Sequence, residues 1–153
     1  MPARWALGLQ WAPIAALELA AEVEYNQWSS VDVLVIDFED PGTDDVEKVR
    51  DWSDTTAVRF GAAYGVTDEV ALRGGVFWDP SPVSSAGVGV DSPDSSRLGL
   101  SLGVGVALTS SLAIDLGYQY LGFQGAETDG ETDKISFNGQ AHLMGVAFRY
   151  TGS

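Results

Sequence analysis

Large apolar side chains recur at every second position over most of this chain, and the residues between them are small rather than charged. Leu98, Leu100, Leu102, Val104, Val106 and Leu108 alternate with Gly99, Ser101, Gly103, Gly105 and Ala107. A period of two marks a β-strand, whose successive side chains point to opposite faces. The same alternation runs through Trp5–Trp11, Leu17–Tyr25, Thr56–Tyr64, Val70–Trp78, Leu112–Tyr120 and His142–Tyr150. Residues 31–38, VDVLVIDF, are expected to prolong the second strand, and the Pro41–Gly42 break and dense charge after them mark a loop. The predicted fold is all-β: an antiparallel meander of about seven long strands in a single domain over residues 1–153.

Connections alternate between tight turns (around Pro13, GVTD at 65–68, TSS at 109–111) and long polar loops. The face opposite the aliphatic one is also unusual. A soluble sandwich would fill it with Lys, Glu, Thr and Ser, whereas here it is mostly Gly and Ala with isolated charges. A transmembrane outer-membrane β-barrel accounts for both features, with an apolar outward band, a small or polar lumen face, short periplasmic turns and long outer loops. Trp5, Trp11, Tyr25, Trp28, Tyr64, Trp78, Tyr118, Tyr120 and Tyr150 fall near predicted strand ends, where an interfacial girdle belongs. The alternative on the same pattern is a soluble sandwich or calycin-like barrel that binds lipid inside.

Composition narrows the chemistry. A net charge of −14 leaves nothing to attract a nucleic acid backbone. Cysteine is absent and His142 is the single histidine, which excludes disulfides and Cys- or His-rich metal sites. No run of 18 apolar residues provides a transmembrane helix, and residues 1–11 lack the continuous apolar segment of a signal peptide.

On the small-residue face, Arg59, Arg73 and Asp79 are joined by Glu18, Glu22, Glu24 and Asp115 from neighbouring strands. They either neutralise one another as a lumen charge network or guide a carboxylate headgroup. Arg73, with Phe77 on the same face, and Arg59 are the expected ligand contacts, since a cation beside an apolar ring suits an anionic amphiphile. No carboxylate pair is singled out as a general acid and base, so an enzyme is not expected. His142 reads as an interfacial imidazole. The acidic stretch Asp37–Asp54 and DGETD at 129–133 read as solvated loops, with Ca²⁺ or the divalent ions of lipopolysaccharide as the other reading.

The segments AHLMGVAFRY (141–150), WSS (28–30), SPV (81–83), PDSSR (93–97) and SLGVGVALTSSLAIDLGYQYL (101–121), in this order along successive hairpins, resemble the C-terminal half of the FadL-type long-chain fatty acid and aromatic hydrocarbon transporters of Gram-negative outer membranes. The resemblance implies a fourteen-stranded monomeric barrel that takes up hydrophobic molecules passively past an N-terminal hatch and releases them through its wall. It implies long-chain fatty acid or another hydrophobic small molecule as cargo, outer-membrane lipid and lipopolysaccharide as surroundings, and no cofactor. The hatch, the first barrel half and a signal peptide have no counterpart in these residues. Seven strands place the two ends on opposite sides of a membrane, whereas bacterial single-chain barrels have an even number. The expectation is the last seven strands of a larger barrel, completed by an N-terminal half. The reading from a different class is a structural or adhesive outer-membrane barrel whose acidic loops carry the function.

Overall fold

The computed structural model describes residues 2–31, 33–36, 46–49, 52–83, 94–127 and 136–152. Seven strands form one sheet: β1 (Ala3–Ile14), β2 (Leu17–Gln27), β5 (Thr55–Gly65), β6 (Val70–Asp79), β7 (Arg97–Ala107), β8 (Leu112–Glu127) and β9 (Ser136–Tyr150). They lie in the order β1-β2-β5-β6-β7-β8-β9, and every neighbouring pair is antiparallel, as the predicted meander requires.

Register carries the alternation across all seven strands. Trp11, Leu19, Ala62, Gly74, Leu102, Tyr118 and Met144 form one continuous cross-strand row. One row further from the tight turns, Leu9, Ala21, Phe60, Val76, Leu100, Tyr120 and His142 do the same. Directly opposed residues share a face, so the aliphatic positions of every strand gather on a single side. A one-residue slip in any strand would turn its leucines to the other side. On the aliphatic side Leu7 is 80% exposed and Met144 83%. The buried residues Glu24, Asn26, Thr55, Ala57, Gly99 and Gly105 all lie on the opposite side. Side chains that bury one another without a second layer occupy the concave face of a curled sheet. The bulky apolar face is therefore convex and uncovered.

The two tight turns after β5 and β7 share a local device. In VTDEV the Thr67 hydroxyl accepts the N–H groups of Glu69 (3.2 Å) and Val70 (3.1 Å), and in LTSSL the Thr109 hydroxyl accepts those of Ser111 (3.2 Å) and Leu112 (3.0 Å). Threonine there satisfies backbone donors that a tight turn leaves over, which keeps these connections short.

Of the segment 31–38, the described strand Val33–Ile36 does not prolong β2, and residues 32, 37 and 38 lie outside the described residues. The chain leaves β2 through a single 3₁₀ turn, Trp28–Ser30, and β3 (Val33–Ile36) pairs with β4 (Val46–Val49) in a separate two-stranded sheet. Sequence periodicity continues across the break, but β5 is already paired with β2 up to Asn26 and turns away beyond Thr55. Asp54 secures this corner, accepting the Tyr25 hydroxyl and the Ser29 N–H, the latter at 2.9 Å. Asp54 lies beyond the end of β5, and the Tyr25 hydrogen bond, with those from Ser29, holds its carboxyl below the usual aspartate range. A lowered folded-state pKa stabilises the corner above the unfolded value of about 3.9, and that contribution is lost as pH falls through the folded value. Trp28 meets Trp52 edge to face at 5.4 Å beside this corner. Tryptophan emission should therefore change as pH drops below about 3.9, and the Asp54→Asn protein should not show that transition.

Candidate functional site on the concave wall

The concave face carries five arginines and five carboxylates, and register decides which meet. Glu22 and Arg59 face each other across β2 and β5, with Arg59 Nη1 2.6 Å from Glu22 Oε1 and 3.2 Å from Glu24 Oε2. Arg4 from β1 reaches Glu24 at 3.6 Å, and the Asn26 side chain donates to Glu24 at 3.1 Å. Asp79 and Arg97 are opposed on β6 and β7 and pair at 2.6 Å. Asp115 on β8 is gripped from both sides, by Arg73 of β6 at 2.6 Å and Arg149 of β9 at 3.3 Å. Glu18 stands apart, opposite Ala63, with no ion pair among the described residues. With charges balanced on this wall, the chain's acidic excess resides elsewhere.

Arg73 can span β7 only because Gly105 lies between it and Asp115. A Cβ at Gly105 would stand 2.7 Å from Arg73 Nη1 and would collide with Asp115 Oδ1. Phe77 uses a second gap, its ring lying over Gly99 where a Cβ would overlap it. Arg73 and Phe77, paired in the sequence reading, thus diverge. One guanidinium rests at Gly105 and one ring at Gly99, roughly 20 Å apart along β7 at ~3.3 Å per residue. The Phe77 ring lies over its directly opposed residue, whereas the Arg73 guanidinium reaches two residues past its own opposite, Gly103, toward the tight-turn end.

Phe77 instead joins apolar residues that period-two reading left unmarked. Leu121 is opposite Gly99, Phe123 opposite Arg97, and Leu143 opposite Gln119, all on the concave face. Their signal was present in the sequence as large side chains on the small-residue phase of β8 and β9. Arg97 and Arg149 were legible in the same way, as isolated cations on that phase.

At the loop end of the wall a cleft of about 490 Å³ is lined by Trp28, Trp52, Arg4, Arg59, Arg97 and Pro82, among others. Trp28 belongs to this cleft and not to a convex-face girdle, because the 3₁₀ turn redirects it. Two connections build the cleft's rim: Trp52 bridges Val83, the Ser53 N–H donates to Pro82 O at 2.9 Å, and the Ser81 N–H donates to Ser96 Oγ at 2.9 Å. The SPV and PDSSR segments are thereby joined. Much of the acidic stretch Asp37–Asp54, and all of DGETD at 129–133, lie outside the described residues. Among the described residues no cluster of metal-ligating side chains occurs.

Comparison with known proteins finds relatives in sequence and a solved structure of the same fold. Outer membrane protein P1 of Haemophilus influenzae is 30% identical over 141 residues, covering 84% of this chain and 30% of that protein. A long-chain fatty acid transport protein of Salmonella typhi is 28% identical over 104 residues, covering 68% of this chain and 24% of that protein. The crystal structure of a Pseudomonas aeruginosa FadL homologue superposes with a TM-score of 0.80 at 23% identity, over 97% of this chain and 35% of that one, which shows the shared fold. The chain thus spans about a third or less of the length of these relatives. With the family model matching residues 1–151, the chain belongs to the outer membrane protein transport protein family (OMPP1/FadL/TodX), whose named members are outer membrane proteins of Gram-negative bacteria.

Proposed function

We propose that this chain forms part of an outer-membrane conduit for hydrophobic small molecules, with long-chain fatty acids as the leading cargo. The observation that carries this reading is the apolar strip Phe77, Leu121, Phe123 and Leu143 on a concave wall whose charges, Glu18 apart, are paired. An acyl chain loses unfavourable hydration on such a strip, and neutralised flanks leave no strong field to hold it, so it moves down its gradient. The fatty acid transport names of relatives favour this cargo. Arg59, bordering the cleft, and Arg73 are the groups suited to exchange a wall carboxylate for that of a cargo.

Both edges of the sheet, β1 and β9, run from the loop end toward the turn end. Open edges in lipid leave backbone groups unsatisfied at several kcal/mol each, so further strands are expected to cover them. Antiparallel pairing at both seams requires an odd number of covering strands, the first and last rising. A second copy, with two descending edges of its own, would meet them in parallel. An N-terminal barrel half that contributes an odd number of strands would fit this requirement.

Uptake in proteoliposomes tests the cargo. Phe77→Asn with Leu121→Asn should slow palmitate uptake several-fold while leaving expression and strand circular dichroism unchanged. Arg59→Gln should weaken palmitate binding about tenfold to a hundredfold, the worth of one charge-assisted hydrogen bond, and leave hexadecanol unaffected. Equal loss for acid and alcohol would remove Arg59 as a headgroup contact, and unchanged palmitate uptake in the Phe77 and Leu121 variant would overturn the conduit.

A further inference from the structure

The convex wall is apolar over its middle, and on β9 it turns polar toward the loop end. Along β9 its outward residues run Tyr150, Phe148, Val146, Met144 and then turn polar at His142, Gln140 and Asn138. His142 is eight residues above Tyr150, about 27 Å along the strand and roughly 20 Å across the membrane at a ~40° tilt. Against an apolar band of about 25 Å, that depth is the outer-leaflet boundary.

The polar residues here are organised. The Tyr118 hydroxyl lies 2.7 Å from His142 Nδ1, and the Tyr120 hydroxyl donates to Gln140 Oε1 at 3.4 Å. The Tyr120 and His142 rings are 5.3 Å apart, and Gly122 gives Tyr120 its seat, since a Cβ there would stand 3.3 Å from the ring. The tautomer in which Tyr118 donates to Nδ1 places the ring proton on Nε2. Nδ1 and Oε1 thus have partners inside the cluster, which leaves the His142 Nε2 and the Gln140 amide nitrogen as the groups without a partner in it. Directly below, a convex-face groove of about 560 Å³ runs between Leu102 and Val104 on one flank and Met144 and Val146 on the other, with Tyr118 lining both groove and cluster.

We propose that this part of the exterior is a docking site for a phosphate-bearing lipid of the outer leaflet, its phosphate held by His142 and Gln140 and an acyl chain laid in the Leu102–Val146 groove. Donors at the headgroup level select an oxygen-rich anion, the groove selects a hydrocarbon tail, and the membrane boundary supplies a ligand that has both. The proposal rests on the lipid-facing orientation of the convex wall and not on the cargo of the concave one.

Diphosphoryl lipid A titrated into the detergent-solubilised protein, with bound lipid counted by native mass spectrometry, tests it. The native protein should retain one lipid. His142→Ala with Gln140→Ala should weaken retention about a hundredfold, as loss of two hydrogen bonds to a charged group would. Met144→Trp, which fills the groove but keeps both donors, should weaken it as well. Palmitate uptake should be unchanged in both variants, which separates this site from the conduit. If the alanine variant fails to fold by circular dichroism, His142→Phe keeps a ring against Tyr120 and removes the donor. Equal retention of dephosphorylated lipid A, native retention in the variants, or displacement of the lipid by inorganic phosphate alone would each overturn the proposal.

Discussion

Replacing Leu102 by arginine should destabilise the inserted protein by about 2–4 kcal/mol, the cost measured for a cation at the midplane of a barrel's lipid face. Leu102 is 68% exposed on the convex side. It stands five residues above the lower end of β7, about 17 Å along the strand and some 13 Å across the membrane, near the middle of a ~25 Å band. Its cross-strand neighbours Gly74 and Tyr118 offer no countercharge. The control is Gln119→Arg one row away on the concave face, where the wall already accommodates five arginines among five carboxylates and the change should stay within about 0.5 kcal/mol. Urea titration of the protein folded into lipid vesicles measures both. Similar costs at the two positions would mean that the convex face does not look into hydrocarbon.

Gly105→Val should remove about 1–3 kcal/mol of stability through overpacking, and it should do so by breaking a named ion pair. The Arg73 guanidinium crosses β7 directly above Gly105, and even a Cβ there would lie 2.7 Å from Nη1 and 3.2 Å from Nη2. A branched side chain forces Arg73 away and leaves Asp115 with Arg149 alone, at 3.3 Å. Removing the guanidinium should therefore relieve part of the damage: in the Gly105→Val background, Arg73→Ala is expected to couple favourably by about 0.5–3 kcal/mol. Gly117→Ala is the matched control, since nothing lies within 4 Å of a Cβ at that position. The same urea titration in vesicles reads all four proteins. Additive effects of Gly105→Val and Arg73→Ala would show that the arginine does not pass over that glycine.

These two glycines look alike in the sequence, both small residues at every second position of a strand. Only one is a passage for a side chain, because the passage is defined by residues 32 positions earlier and ten later in the chain. The same limit explains the other differences. Residues 31–38 alternate as well as any strand, yet after the 3₁₀ turn at Trp28–Ser30 and the Asp54 tether Val33–Ile36 pair with Val46–Val49 in a separate hairpin. Trp28 is an aromatic at a strand end, as a girdle residue is, but the same turn sends it into the cleft against Trp52. Arg73 and Phe77 share a face, as their spacing of four demands, while the place where each comes to rest is set by gaps on β7.

The number of strands in the main sheet, their antiparallel order and the separation of an aliphatic from a small-residue face were determined by the sequence itself. Strand period and turn chemistry act between near neighbours, and a one-residue slip would expose a whole face to the wrong solvent. Tertiary structure alone decided which carboxylate each arginine takes, where the apolar strip on the concave wall lies, and that Tyr118, Tyr120, Gln140 and His142 form one cluster. Those outcomes depend on lateral register and side-chain reach across two or three strands, distances that a linear pattern of alternation does not encode.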